Sequence, residues 1–329
     1  MKTYTVAILG ATGAVGREMM KVLAERAFPV HELRLLASPR SAGAMLPWQG
    51  GEIAVRAASK GCFDGCDIVL GAASSALAKE LAPEITAAGA VFVDNSSAFR
   101  HDAEVPLVVP EINSAAAKSH KGIIANPNCS TIITLMAVWP IARQFGLKSL
   151  TAATYQAVSG AGVGGVNQLE AEIRGEGCDS PAFPHAIARN VIPAIGGLTE
   201  TGDTTEEAKM RYEGRKIMGI PGLRVACTCV RVPVMRCHSI AVSLETERPV
   251  TVEAARAAIA GGDGVALMDD FSAGIYPMPV NTEDQDTVFA GRIRPDETRE
   301  HGLTLWCCGD QLRKGAATNT VQIAELLKA

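Results

Sequence analysis

The sequence predicts two domains of different layer type, an α/β domain with a doubly wound parallel sheet and an α+β domain with a mixed sheet. Short apolar runs alternate with helix-patterned runs as far as about residue 125, the signature of a parallel sheet with helices on both faces. Beyond Gly146 strands dominate and helices become few. The length of 329 residues also exceeds what one hydrophobic core usually supports, a limit of roughly 250–300 residues.

The first strand, 3–9, runs into Gly10-Ala11-Thr12-Gly13-Ala14-Val15-Gly16, and a helical stretch through Met19, Met20, Val22 and Leu23 follows. A glycine-rich turn between strand and helix lets the backbone approach a pyrophosphate, which rests on the helix N-terminus. This points to a Rossmann-type dinucleotide fold, although Thr12 stands where the usual fingerprint has glycine, and a plain strand-to-helix turn is the bland reading. The second strand, 32–37, ends in Ser38-Pro39-Arg40-Ser41. No acidic residue waits there to hold a ribose 2′-hydroxyl. A guanidinium with two serines suits a 2′-phosphate instead, so the expected cofactor is NADP. Further strands are expected at 53–57, 68–72, 91–94, 107–109 and 123–125, with helical stretches at 77–81 and 83–88.

In the second half a strand over 147–157 leads to another glycine-rich turn, Gln156-Ala157-Val158-Ser159-Gly160-Ala161-Gly162. A helix follows at 166–174. Residues 175–200 are irregular and rich in Gly, Pro and Asn, a length that suggests a functional or subunit-contact segment. Thr204 and Glu207 fit a capping box and open a helix to Met218. Strands at 223–232, 238–247, 288–293 and 303–308 surround one helix, 252–259. The chain closes with an amphipathic helix, 315–327, carrying Ala317, Val321, Ala324 and Leu327 on one side.

Composition narrows the function. A net charge of −4 and 5% aromatic residues, with no basic block, argue against nucleic acid as a partner. No apolar run reaches the length of a membrane span, and no secretion signal heads the chain. Nine scattered cysteines without a C-x-x-C pair resemble neither a disulfide framework nor a metal site. The expectation is a cytoplasmic protein with reduced thiols.

One cysteine stands out. Asn126-Pro127-Asn128-Cys129-Ser130-Thr131 lies between a short apolar strand and a long apolar helical run, which places Cys129 in the first turn of a buried helix. Unpaired N–H groups and the positive end of the helix dipole favour a thiolate there. That effect is about 0.3–2 kcal/mol, one or two pKa units at most, so a second activator, most naturally a histidine, is needed. The residues alone leave Cys129 as either a nucleophile or a small buried hydrophobe.

Taken in order, the Gly10–Gly16 turn, Asn95-Ser96-Ser97-Ala98-Phe99-Arg100, the Cys129 motif, the Gln156–Gly162 turn, Arg231-Val232-Pro233-Val234-Met235-Arg236-Cys237-His238 and Gln311-Leu312-Arg313-Lys314-Gly315-Ala316-Ala317 resemble the bacterial aspartate-semialdehyde dehydrogenases. The related N-acetyl-glutamyl-phosphate reductases typically have Asn-Pro-Gly-Cys around the cysteine, where this chain has Asn128 in place of the glycine. The resemblance implies an NADP-dependent interconversion of aspartyl phosphate and aspartate semialdehyde through a thioacyl cysteine. It implies Cys129 as nucleophile and His238 as acid/base; without it, a histidine opening an apolar strand reads as structural. Arg231 matches the fork that holds the substrate α-carboxylate, Glu213 the acceptor for the ammonium, and Gln156 a substrate-positioning amide. Arg100 and Lys216 match phosphate-site cations. Cofactor contacts are implied for Gly10, Thr12, Gly13, Ala14, Val15 and Gly16, for Ser38, Arg40 and Ser41, for Ser159 and Gly160, and for Gln311, which stands where many relatives have asparagine. Arg236, from the same stretch as Arg231, has no implied role. The implied domains are 1–128 plus 312–329 for the cofactor, and 129–311 for catalysis and homodimer formation. No metal is implied. A reductase of a longer acyl phosphate and a non-catalytic NADP-binding paralogue are the alternatives.

Overall fold

The computed structural model describes residues 2–328 and divides into two compact units. The first runs to Pro127 and resumes at Ala316; the second is Asn128–Gly315.

In the first unit, β1 (Tyr4–Leu9), α1 (Ala14–Glu25), β2 (Val30–Ala37), β3 (Met45–Trp48), β4 (Gly51–Ala54), β5 (Arg56–Ala57), β6 (Ile68–Gly71), α2 (Ser75–Ala87), β7 (Val91–Asp94), α3 (Pro110–Asn113) and β8 (Ile123–Ala125) follow in order. Six strands form a wholly parallel sheet in the order β5-β2-β1-β6-β7-β8. The order reverses beside β1, and open α/β sheets bind ligands at such a switch point. β6 and most of β1 are buried on both sides, as a sheet covered on two faces requires. The C-terminal helix (Thr318–Glu325) returns to this unit, where Ala317, Val321 and Ala324 join the β-sheet core.

Several expectations need correction. The stretches 77–81 and 83–88 are one helix, α2, running through Pro83. A proline inside a helix costs about 3 kcal/mol. Ser74 caps this helix, and Leu81 and Ile85, on either side of the proline, are buried. Each such burial is worth roughly 1.5–3 kcal/mol, enough to carry the helix across. The expected strand 107–109 reduces to a single bridge between Leu107 and Ala125. The expected strand 53–57 splits into β4, hairpinned with β3, and β5. The final helix does not begin at 315: residues 313–317 form a wider π turn, and α-helical geometry starts at Thr318.

The second unit contains α4 (Cys129–Phe145), β9 (Ser149–Gln156), α5 (Val163–Ile173), α6 (Thr205–Met218), β10 (Arg224–Arg231), β11 (His238–Glu245), α7 (Val252–Ala260), β12 (Val265–Leu267), α8 (Pro279–Thr282), β13 (Val288–Pro295) and β14 (Gly302–Gly309). Its mixed sheet has the order β10-β9-β11-β14-β13-β12, parallel at both ends and antiparallel between. α4 is buried almost all round, the mark of a core helix. It packs, with α6 and α7 beside it, on one face of the sheet. Thr151, Tyr155, Ala241, Ser243 and Trp306 of the central strands alternate with buried neighbours and stay at least partly exposed, so the opposite face is open in this chain. The expected capping box at Thr204 and Glu207 is present. Among the described residues no helix is long and apolar enough to cross a membrane.

Candidate active site

Cys129 is the first residue of α4 and is half-buried. Asn128 caps the helix: its Oδ1 accepts from the N–H groups of Ser130 (3.0 Å) and Thr131 (3.2 Å). Two carboxylates of α6 hold the cap residue in turn. Glu213, fully buried, accepts from the Asn128 backbone N–H at 2.7 Å, and Glu206 accepts from the Asn128 side-chain amide at 2.8 Å.

Register explains how Gln156, Arg231 and His238, far apart in sequence, come together. β9 and β10 are parallel and pair Gln156 with Arg231 at their carboxyl ends. β11 runs back against β9, Ser239 opposite Tyr155, so His238 starts its strand beside Gln156. All three side chains are buried. The Gln156 amide nitrogen lies 3.5 Å from His238 Nε2. Ala157 joins the other two: its N–H donates to His238 Nδ1 (3.1 Å) and its carbonyl accepts from Arg231 Nη1 (2.7 Å). Gly160 fits against both, since a Cβ there would stand 2.9 Å from Arg231 Nη1 and 3.2 Å from His238 Nε2. Arg231 is also close enough to Cys129 for a thiolate there to favour its charge.

The irregular segment 175–200 supports Arg231. Ile192 exchanges backbone hydrogen bonds with Arg231 (2.9 and 2.8 Å), and the Phe183 ring lies 5.5 Å from the guanidinium carbon. Gln168 and Glu172 of α5 hold this segment through the backbone of Phe183, His185, Ile187 and Ala188.

His238 is pushed down to about 3 by burial first and by the Arg231 charge second, with Glu206 opposing. The imidazole is therefore neutral at neutral pH. Because Nδ1 accepts the Ala157 N–H, the neutral ring carries its hydrogen on Nε2. An unfolded histidine binds a proton near pH 6.5 and the folded one does not, so stability is full above 6.5 and falls as pH drops toward 3. Glu206 is held at about 2, its burial overcome by Lys209 and by amide hydrogen bonds, so its own loss begins only below 4.5. Between pH 6.5 and 4.5 the native protein should lose up to about 2.7 kcal/mol that His238→Asn does not lose. Thermal melts of both across that window check this.

Gln311 has both ends engaged. Its Oε1 accepts from the Cys237 N–H (2.8 Å) and its Nε2 donates to Ser159 Oγ (2.6 Å), while Ser159 in turn donates to the Met235 carbonyl. Cys237, immediately before His238, is buried with φ +72°; a left-handed non-glycine residue stores about 1–3 kcal/mol of strain. The Cys237 thiol is held protonated by a hydrogen bond with Cys308 and by burial, and burial does the same for Cys307. Arg236 is engaged by Asp310 (2.6 Å) and Asp284 (3.6 Å). Gly315 closes over the nucleophile: a Cβ there would stand 2.9 Å from Cys129 Cβ, closer than non-bonded carbons approach. Gly315→Ala should lower turnover about 100-fold by displacing the thiol, with the thermal midpoint showing whether the fold is kept.

Lys216 is half-buried in the last turn of α6. Glu213, on the same helix, is fully buried. The structure also adds Glu206, which reads in the sequence as a helix first-turn acid. One signal was available: Glu206, Met210, Glu213 and Ile217 share the buried stripe of α6, so two carboxylates occupy apolar positions.

In the first unit, Gly10 has φ +90° and a Cβ there would lie 2.4 Å from the Ala72 carbonyl; at Gly16 it would lie 2.3 Å from the Gly10 carbonyl. Only glycine allows this turn. At Gly13 the nearest atom would be 3.4 Å away, so the backbone is open to a ligand there. Gly13 is the N-cap of α1 and supplies no side-chain cap, which leaves the first N–H groups of Ala14, Val15 and Gly16 suited to phosphate. Thr12 Oγ1 donates to Ser41 Oγ at 3.4 Å, and Ser38 and Arg40 are exposed in the same turn. Arg100 is buried and donates to the Asn95 carbonyl at 2.8 Å. Among the described residues there is no cluster that could hold a metal.

Residues 5–120 match the family model for the semialdehyde dehydrogenase NAD binding domain, and residues 138–314 that for the semialdehyde dehydrogenase dimerisation domain. The chain is 50% identical over 326 residues to an aspartate-semialdehyde dehydrogenase of Synechocystis, covering 98% of this chain and 96% of that one. A solved aspartate semialdehyde dehydrogenase II of Vibrio cholerae complexed with ASA superposes with a TM-score of 0.96 at 41% identity, covering 99% and 98%. The Candida albicans aspartate semialdehyde dehydrogenase solved with NADP gives 0.78 at 27%, covering 100% and 99%.

Proposed function

The chain belongs to the aspartate-semialdehyde dehydrogenase family, and from that premise we propose that it reduces aspartyl phosphate through a thioester on Cys129. The enzyme is an oxidoreductase that uses a nicotinamide cofactor. The observation that carries the mechanistic reading is the convergence of Gln156, Arg231 and His238 at one end of the second sheet, with Arg231 within electrostatic reach of Cys129.

Cys129 attacks the acyl carbon and displaces phosphate, so the S–C bond forms as the C–O bond to phosphate breaks. When bound, a nicotinamide cofactor would supply hydride to the thioester; on the protein's side, collapse of the reduced thioacyl adduct returns the Cys129 thiolate and releases aspartate semialdehyde. Arg231 holds the substrate α-carboxylate with its planar fork. Glu213 receives the ammonium, Gln156 orients the acyl group, and Arg100 and Lys216 neutralise the phosphate. His238 manages the proton on the substrate oxygen. A carboxylate on Arg231 offsets the positive charge that depresses His238, which raises the imidazole toward working pH as substrate arrives. For Nε2 to accept a proton the ring hydrogen must stand on Nδ1, so the Ala157 contact opens in the same event.

The uncapped turn at Gly13, with Ser38, Arg40 and Ser41 beside Thr12, supports NADP over NAD. We assign Ser159, Gly160 and Gln311 to cofactor contacts as well. The open face of the second sheet is the surface a second copy covers in a homodimer. We place the reaction in the cytoplasm, at the step that leads to lysine and diaminopimelate, threonine, methionine and isoleucine.

The test is reduction of NADP by aspartate semialdehyde with and without phosphate. Phosphate-dependent turnover is expected, with N-acetyl-glutamate semialdehyde and NAD much poorer. No turnover, or equal turnover without phosphate, would remove the proposal.

A further inference from the structure

We propose that Glu206 is a positioning residue that sets the direction of two amides, Asn128 and Gln156, and thereby ties the cap of the nucleophile helix to the substrate-facing side chain. Glu206 is buried, and one of its oxygens, Oε1, accepts from both Asn128 Nδ2 (2.8 Å) and Gln156 Nε2 (3.2 Å). The other, Oε2, accepts from Lys209 Nζ at 2.8 Å, one turn along α6. Each amide has two nearly isosteric orientations, and a carboxylate on one side permits only the one that presents NH2 to it. For Asn128, that orientation aims Oδ1 at the N–H groups of Ser130 and Thr131; the reverse would set donor against donor and undo the cap. For Gln156, it aims Oε1 at the Thr154 hydroxyl (2.9 Å) and gives the NH2 to Glu206. Helix capping does not need Glu206, because Glu207 completes the capping box. The mixed charge of the Glu206–Lys209 pair therefore serves these two amides.

This inference rests on the reading of Cys129 and Gln156 given above, and the experiment separates the two. In Glu206→Gln a single oxygen remains, and the Lys209 ammonium competes for it with both amides. The expected result is a kcat lower by about 10- to 100-fold, KM for aspartate semialdehyde within about threefold, and a native fold. Amide hydrogen exchange in the peptide following Asn128 should quicken, a readout independent of turnover. In Glu206→Gln/Lys209→Met the competitor is gone, the oxygen turns back to the amides, and both kcat and exchange protection should recover most of their loss. Wild-type kcat in Glu206→Gln would overturn the inference. So would a double variant that recovers neither, because the loss would then belong to the buried charge or to the fold. A wild-type enzyme with no turnover would instead refute the proposed function, while the exchange measurements would still decide the role of Glu206.

Discussion

Cys129→Ser is expected to lose at least about 10⁴-fold in turnover, the scale at which a covalent nucleophile is usually felt. A hydroxyl at the head of α4 keeps the shape and the Asn128 cap, but it ionises far less readily than a thiol, and helix-end electrostatics are too weak to close that gap. NADP binding should stay within about threefold, because its proposed phosphate site lies on the glycine turn of the other unit. The other buried thiols are poor substitutes: Cys237 is held protonated by Cys308 and by burial, and Cys307 by burial alone. Two measurements check this, steady-state turnover and a mass-spectrometric search for an acyl adduct after mixing with substrate. Retained turnover, or an adduct on another cysteine, would end the case for Cys129.

Arg231→Lys is expected to lower kcat/KM about 100-fold, a loss of roughly 2–3 kcal/mol, with most of it in KM. The side chain is buried, and its Nη1 is already committed to the Ala157 carbonyl at 2.7 Å. A guanidinium can keep that bond and still offer parallel donors to a carboxylate. An ammonium is a single point charge that cannot do both. It would also lose the Phe183 ring that lies against the guanidinium. Arg236→Lys is the contrast, because Arg236 is engaged by Asp310 and Asp284; it should change KM by less than about threefold. Equal effects at the two positions would show that the carboxylate is held elsewhere.

The elements were largely legible because their signals are local. Glycines at 10, 13 and 16 after an apolar strand mark a tight turn, and at Gly10 and Gly16 the distances leave no room for a Cβ. Thr204 and Glu207 announce a helix start within four residues of chain. The expectations that failed turned on competition between a local cost and a distant gain. Pro83 looked like a boundary, yet Leu81 and Ile85 bury on either side of it and hold α2 together. The run at 107–109 has the composition of a strand but makes only one bridge, because pairing depends on a neighbour that local pattern cannot name.

By itself the sequence determined the alternation of strands and helices, the glycine turn, the absence of a 2′-hydroxyl acid, the placing of Cys129 at a helix start and, through the order of its motifs, the family. Only the tertiary structure decided that His238 is buried and neutral beside Arg231, that Ala157 holds both, and that Glu206 faces inward to Asn128 and Gln156. The physical reason is that helix and turn signals act over a few residues of backbone, whereas desolvation and charge depend on which segments the sheet register brings together. Gln156 and Arg231 are neighbours only because β9 and β10 run parallel and end in step.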